Sequence, residues 1–258
     1  MNQPLGPVVP GAVNFRDVGG LPAGAARTRS GVLYRSGNLA RLDGTGLAAL
    51  GALGIRRVID LRADDEVSYA PSRTNGLEIE VQRVPLFLGS VASFFADDVP
   101  LAEMYRRLVE DSADGVVEVM RGIIAAQPVL VHCTVGKDRT GVTVALALAA
   151  AGVDTDAVVA DYARTEGLLS VRRTRKVVAN LRKMHPEAVN LEELATRSPA
   201  PVMRDLLVAL SARYGSAAGY LVAHGMGREE LAELRRVLIR PPEDGEVLGS
   251  DAAAGLSG

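Results

Sequence analysis

The chain is 258 residues long, 48% hydrophobic and carries a formal net charge of −2, enough material for one sizeable core and a charge that argues against a general nucleic-acid binder. All but three of its 29 basic residues are Arg, the exceptions being Lys137, Lys176 and Lys183. The single cysteine, Cys133, excludes an intramolecular disulfide and fits a reducing compartment, while His132, His185 and His224 are too scattered to suggest a metal site. No cofactor is implied. The N-terminal MNQPLGPVVPGAV lacks a basic region followed by a long apolar run, and no charge-free window reaches membrane-spanning length, so a cytoplasmic start and no integral membrane segment are expected.

After this proline-rich lead, Asn14 to Asp17 with Gly19 and Gly20 reads as a turn in which Arg16 and Asp17 satisfy local backbone, and Gly31 to Tyr34 as a short strand. Leu47, Leu50 and Leu53 fall at helical spacing within Leu42 to Leu53, with Asp43 placed to cap the helix and Gly54 to end it. Arg57 to Leu61 follows as a strand. Asp60 and Arg62 stand at its carboxyl end, where α/β sheets collect their sites and where an Asp and an Arg two apart also form structural ion pairs. Ile79 to Val84 is the next strand, stopped by Pro85. The pattern breaks from Leu86 to Pro100, with Phe94 and Phe95 ahead of Asp97 and Asp98. Two helices, Leu101 to Glu110 and Gly115 to Ala126, then lead into the middle of the chain.

There, Val129 to Val131 predicts a short buried strand and Val142 to Ala151 a buried helix, joined by the polar turn HCTVGKDRTG. The five residues that separate Cys133 from Arg139 let a loop curl so that the backbone N–H groups of Thr134, Val135, Gly136, Lys137, Asp138 and Arg139 converge on one point. The following helix adds its positive end, and Arg139 a guanidinium fork that matches two phosphate oxygens. A thiol at the base of such an anion cradle is favoured as thiolate, and a phosphate held above it would be attacked to give a phosphocysteine that water later hydrolyses. Asp138 is the carboxylate nearest the phosphate by sequence and is assigned as the acid and later the base. Thr140 is placed to hydrogen-bond the thiolate and His132 to support the loop backbone. Lys137 adds a cation that suits a polyanionic head group or serves the thiolate.

Asp154 or Thr155 caps a further helical pattern that continues to Met184. Arg172, Arg173, Arg175, Lys176, Arg182 and Lys183 make it the most basic part of the chain, which reads as a solvated face. Helices near Val202 to Tyr214, Ala217 to Ala223 and Arg228 to Arg240 read as packing material, with a break at Gly225. Residues from Pro241 onward lack apolar periodicity and read as a disordered tail, leaving residues 1–240 as a single domain. Alternating strands and helices in the first half predict an α/β fold, a small, mainly parallel sheet flanked by helices with the loop at the carboxyl end of its central strand.

HCTVGKDRTG resembles the signature of the bacterial cysteine-dependent protein tyrosine phosphatases. NFRDVGG at Asn14 to Gly20, LYRSGNLARL at Leu33 to Leu42, VIDLRADDEV at Val58 to Val67, VVADYAR at Val158 to Arg164 and YGSAAGYL at Tyr214 to Leu221 look like the group's other landmarks in the same order. The resemblance implies a tyrosine-phosphatase-like fold and phosphorylated protein or phosphoinositide substrates. It further implies that NFRD lies near the catalytic loop, that Asp60 and Arg62 support it, and that residues 155–185 form a helical lid touched by Leu168, Leu169 and Val171. Export without a cleavable signal peptide stays open. Many of these enzymes bring in a general acid on a Trp-Pro-Asp loop; this chain has no Trp, which leaves Asp97 or Asp98 to act only from a different loop. A pseudophosphatase that binds phosphate without turnover is the non-enzymatic alternative, and a sulfurtransferase, which also sets one cysteine in an anion-binding loop, is the rival enzyme.

Overall fold

In the computed structural model, which describes residues 8–86 and 97–241, the chain runs β1 (Arg16–Asp17), β2 (Pro22–Ala23), β3 (Ala26–Thr28), β4 (Leu33–Ser36), α1 (Gly44–Ala52), β5 (Arg57–Asp60), α2 (Asp64–Tyr69) and β6 (Glu80–Arg83). It continues through α3 (Leu101–Asp111), α4 (Ala113–Ala125), β7 (Val129–His132), α5 (Asp138–Ala151), α6 (Thr155–Leu168) and α7 (Val171–Met184). The last elements are α8 (Leu191–Thr196), α9 (Ala200–Tyr214), α10 (Ala217–Ala223), α11 (Arg228–Leu238) and β8 (Ile239–Arg240). Phe94, Phe95 and the tail from residue 242 lie outside the described residues.

Five strands form the central sheet in the order β1-β4-β7-β5-β6, with β4, β7, β5 and β6 parallel and β1 antiparallel at the edge. The expected mainly parallel α/β sheet is therefore present, with β7 in the middle. Every residue of β7 is buried, as a strand covered on both faces requires. Its side chains alternate: Leu130 joins a small core with Tyr34, Leu50 and Val58 under α1, while Val129 and Val131 join the large core built from the remaining helices. Register gathers the loops at one edge. Ser36 and Asp60 both pair with His132, so the segments leaving β4, β7 and β5 emerge level with one another at the carboxyl end of the sheet.

Several boundaries differ from expectation for physical reasons. α5 begins at Asp138, not Val142, because polar residues of the turn already occupy its first turn; it is then buried along most of its length. Asp154 does not cap α6 with its side chain, whose Oδ1 instead accepts the Gly24 N–H at 2.9 Å. The stretch expected as one helix from there to Met184 is two, broken at Leu169 and Ser170. Ile239 and Arg240 leave the last helix to pair with β3, forming a second, three-stranded sheet in the order β2-β3-β8. By contrast, Asp43 caps α1 through the Gly46 N–H as the sequence predicts, and Gly225 adopts the left-handed φ of 92° at the foreseen break. Among the described residues no single helix is long and apolar enough to cross a membrane.

Candidate active site

β7 ends at His132, and the chain then turns through Cys133 to Lys137 before α5 begins. Cys133 is buried, and its Sγ accepts the Gly136 N–H at 3.3 Å. Gly136 has φ of 75°, and a Cβ there would stand 2.4 Å from the Ser36 carbonyl carbon and oxygen, so only glycine lets the turn lie this close to the end of β4. Of the backbone N–H groups from Thr134 to Arg139, that of Gly136 alone donates within the described residues; the rest have no acceptor there. Unpaired N–H groups at the head of a helix form an anion-binding concavity. Thr140 does not make the expected bond to the sulfur: its Oγ1 is buried and has no hydrogen-bond partner among the described residues.

Arg139 is buried, and its two terminal nitrogens grip Glu66 of α2 at 2.5 and 2.7 Å. Glu66 also accepts the Thr134 hydroxyl and, at 3.0 Å, the Ala63 N–H, so one carboxylate fixes both the arginine and the near side of the loop. Burial alone would raise the Glu66 pKa, but the Arg139 hydrogen bonds and charge outweigh it and hold the carboxyl at about 2. Burial likewise opposes the Arg139 charge, and the Glu66 pairing more than offsets it. The Arg139 Nε–H makes no hydrogen bond among the described residues and remains for a ligand. Glu66 lies inside the VIDLRADDEV stretch but nothing in its spacing pointed 73 residues ahead to Arg139.

Asp138 opens α5 with its side chain 22% exposed, and its Oδ1 accepts from Lys137 Nζ at 2.6 Å and Tyr105 Oη at 2.9 Å. Tyr105 in turn shares a 2.7 Å hydrogen bond with Tyr162. Burial first, then the Asp138 charge, pushes the Tyr105 pKa well above its ordinary value, so it stays a neutral donor. Lys137 is itself buried and also donates to the Arg197 carbonyl at 2.9 Å. Its ammonium is thus committed to Asp138 and the chain after α8, which corrects the expectation of a cation facing a polyanionic substrate.

Asp60 and Arg62 form a buried bidentate pair at 2.9 and 2.7 Å, the structural outcome the sequence allowed. His132 is fully buried with Nδ1 at 3.2 Å from the Cys133 carbonyl, supporting the loop backbone as expected, and Nε2 at 3.7 Å from Asp60. Burial lowers its pKa and favours the neutral ring. Asp98 accepts the Val189 and Asn190 N–H groups at 2.8 and 2.7 Å, which makes it a loop anchor.

On the other side of the loop, Asn14 donates to the Gly136 carbonyl at 2.8 Å, so NFRD does reach the turn, while Asp17 serves local backbone at Gly19 and Gly31. Arg16 and Arg35 both pair with Asp161 of α6 at 2.7 Å. Burial would raise the Asp161 pKa, but Arg35 and Arg16 hold it at about 2. Asp161 sits in the buried stripe Val158, Val159, Asp161, Tyr162, Thr165. A lone carboxylate on an apolar helix face is the signal the sequence carries for it. The region read as a lid therefore divides: α6 is part of the core, whereas α7 has none of its described side chains buried. Leu169, at the break, shares a cavity of about 60 Å³ with Val135 of the loop and with Ser170, Thr174, Val177 and Ala195. Leu168 and Val171 are exposed and do not line it.

The profile of the "Tyrosine phosphatase family" matches residues 7–240. The chain is 32% identical to the triple specificity protein phosphatase PtpB of Mycobacterium tuberculosis over 90% of its length and 98% of that protein's. It is 30% identical to a tyrosine-protein phosphatase of Nostoc commune over 78% of this chain and 72% of that one. The P. aeruginosa TpbA crystal structure shares 24% identity and a TM-score of 0.36, covering 66% of this chain and 88% of that one. With a family match spanning nearly the whole described structure and a relative aligned almost end to end, the chain belongs to the tyrosine phosphatase family and is a cysteine-dependent phosphatase.

Proposed function

We propose that the enzyme removes phosphate from phosphotyrosine, and from phosphoserine and phosphothreonine, through a phosphocysteine intermediate at Cys133. The observation that carries this is the placement of Cys133 Sγ under the Gly136 N–H, at the mouth of a loop of unpaired N–H groups closed by a pre-oriented Arg139. Dianionic phosphate seated there meets Sγ in line with the bond to its leaving oxygen. The S–P bond forms as the P–O bond breaks, and Arg139 with the loop N–H groups neutralises charge on the equatorial oxygens. Asp138 gives its proton to the departing oxygen, then takes one from the water that cleaves the S–P bond and releases inorganic phosphate. The name of the mycobacterial relative supports a range wider than tyrosine.

Cys133→Ser with p-nitrophenyl phosphate is the direct test. Turnover should vanish while inorganic phosphate still binds, because a hydroxyl is hardly ionised at neutral pH and the cradle is intact. Hydrolysis by the serine variant removes the nucleophile assignment, and loss of phosphate binding removes the cradle. A phosphoinositide substrate is the second reading, now resting on α7: Arg175 and Arg182 line an open groove of about 430 Å³ with Glu192 and Thr196, although Arg182 is paired with Glu192 at 3.0 Å.

A further inference from the structure

Two carbonyls of the loop are each held by a pair of donors, and all four donors come from the first 38 residues of the chain. The Thr134 carbonyl accepts the Asn38 backbone N–H at 3.2 Å and Asn38 Nδ2 at 3.1 Å. The Gly136 carbonyl accepts Asn14 Nδ2 at 2.8 Å and Arg35 Nη2 at 3.1 Å. In a trans peptide the carbonyl and the next N–H point in opposite directions. Fixing the Thr134 oxygen therefore turns the Val135 N–H the other way, and fixing the Gly136 oxygen does the same for the Lys137 N–H. Neither of these N–H groups has an acceptor among the described residues.

The donors are themselves immobilised. Asn14 is buried at a left-handed φ of 58°, and its Oδ1 accepts from Arg16, which orients the amide so that Nδ2 faces Gly136. Arg16 and Arg35 converge on opposite oxygens of Asp161. Two guanidinium groups share one carboxylate, so a net positive charge is buried directly behind the loop; burial and then repulsion from Arg35 lower the Arg16 pKa to about 10.

We infer that Asn14, Arg35 and Asn38 are positioning residues of the phosphate cradle: they hold the Thr134 and Gly136 carbonyls outward so that the Val135 and Lys137 N–H groups face the phosphate, with Asp161 anchoring Arg35 directly and Asn14 through Arg16. The inference rests on the loop being the phosphate site. A peptide flip at either place would replace an N–H by a carbonyl oxygen facing a dianion, exchanging attraction for repulsion. Preorganised donors of this kind matter because they need no reorganisation when charge develops on the phosphoryl oxygens.

The test uses the full chain carrying Asn14→Gly, which accepts the left-handed backbone, or Asn38→Asp, which keeps the size and backbone N–H but turns the side-chain donor into an acceptor. The inhibition constant for inorganic phosphate, kcat, KM and the thermal midpoint are read on each. Each variant should weaken phosphate binding roughly 10-fold and raise KM with it, the double variant more, as expected for a misaligned oxyanion donor. A role in packing alone would lower the thermal midpoint and leave the phosphate inhibition constant unchanged, and that result overturns the inference. Should Asn14→Gly not fold, the half-buried Asn38 decides on its own. Phosphate binding to Cys133→Ser separates the two levels: if that variant binds and the asparagine variants match the parent, this inference alone fails, whereas no binding to it removes the cradle reading beneath.

Discussion

Glu66→Gln isolates the brace behind Arg139, because it keeps the size of the side chain while turning one carboxylate oxygen into an NH2 that faces the guanidinium. In the parent, the carboxyl drops from 4.5 to about 2 under the influence of Arg139, Thr134 and Ala63. At full value that difference corresponds to about 3 kcal/mol of folded-state stability, and with the side chain 22% exposed and screened by solvent the expected loss is about 1–2 kcal/mol. The sign follows from a folded pKa below the unfolded one: the contribution is complete above about pH 4.5 and disappears as pH falls through about 2. Urea melts of parent and variant should therefore differ most near neutrality, with the gap shrinking to less than half by about pH 3. His132, buried and favoured neutral, loses its own contribution as pH falls below about 6.5, but it is common to both proteins and cancels in the difference. In parallel, kcat/KM for p-nitrophenyl phosphate should fall roughly 10- to 100-fold as Arg139 loses its orientation. An unchanged kcat/KM, with the stability loss present, would show that Glu66 holds the fold and has no part in presenting Arg139.

Asp138→Asn should slow hydrolysis of phosphotyrosine far more than that of p-nitrophenyl phosphate, whose leaving group departs without a proton; equal losses indicate a structural aspartate. Tyr105→Phe, which removes one donor to Asp138 Oδ1 and strands the Tyr162 hydroxyl, should show the same selectivity in weaker form and cost about 1–2 kcal/mol in a denaturant melt. Leu169→Ser opens the cavity against Val135; if α7 and its junction cover the loop, peroxide should inactivate this variant faster than the parent, and matched rates with an intact fold make α7 plain surface. Charge reversal at Arg172 and Arg175 should reduce activity on phosphoinositides selectively over a phosphotyrosine peptide, and equal activity on both removes the head-group reading.

The parts of the site that are contiguous in sequence could be read from it. Cys133 to Arg139 lies in one turn, and a thiol, a run of small or polar residues and an arginine closing the turn describe an anion cradle before any coordinates exist. The central strand was equally plain, since Val129 to Val131 is apolar and mostly β-branched and follows a proline. What escaped reading was pairing across distance. Glu66 appeared as one acid among several in ADDEV, and only the return of α2 over the carboxyl edge singles it out. Tyr105 sat in the apolar stripe Leu101, Met104, Tyr105, Leu108, where an aromatic is indistinguishable from core until its hydroxyl is located. The direction of Lys137 is not legible either, because a buried ammonium goes to whichever acceptors surround it, and its neighbours are Asp138 and the Arg197 carbonyl. The break at Leu169 and Ser170 carries neither Gly nor Pro, and β8 is two residues long, below the length at which alternation can be seen.

That short strand sets an order on synthesis. Thr28 pairs with Ile239 and Arg27 with Arg240, so the hairpin of β2 and β3, made among the first residues, has one edge left open until nearly all of the described chain has been translated. At about 5–20 residues per second, the interval is roughly 10 s or more, long compared with the microseconds in which a hairpin forms. For that time the edge presents unpaired N–H and carbonyl groups to any other nascent chain. The strand that carries this edge, β3, is only three residues long and has Arg27 at its centre, which makes it a poor template for such pairing. The same brevity that hid this sheet from sequence reading thus protects the growing polypeptide until its own last strand arrives.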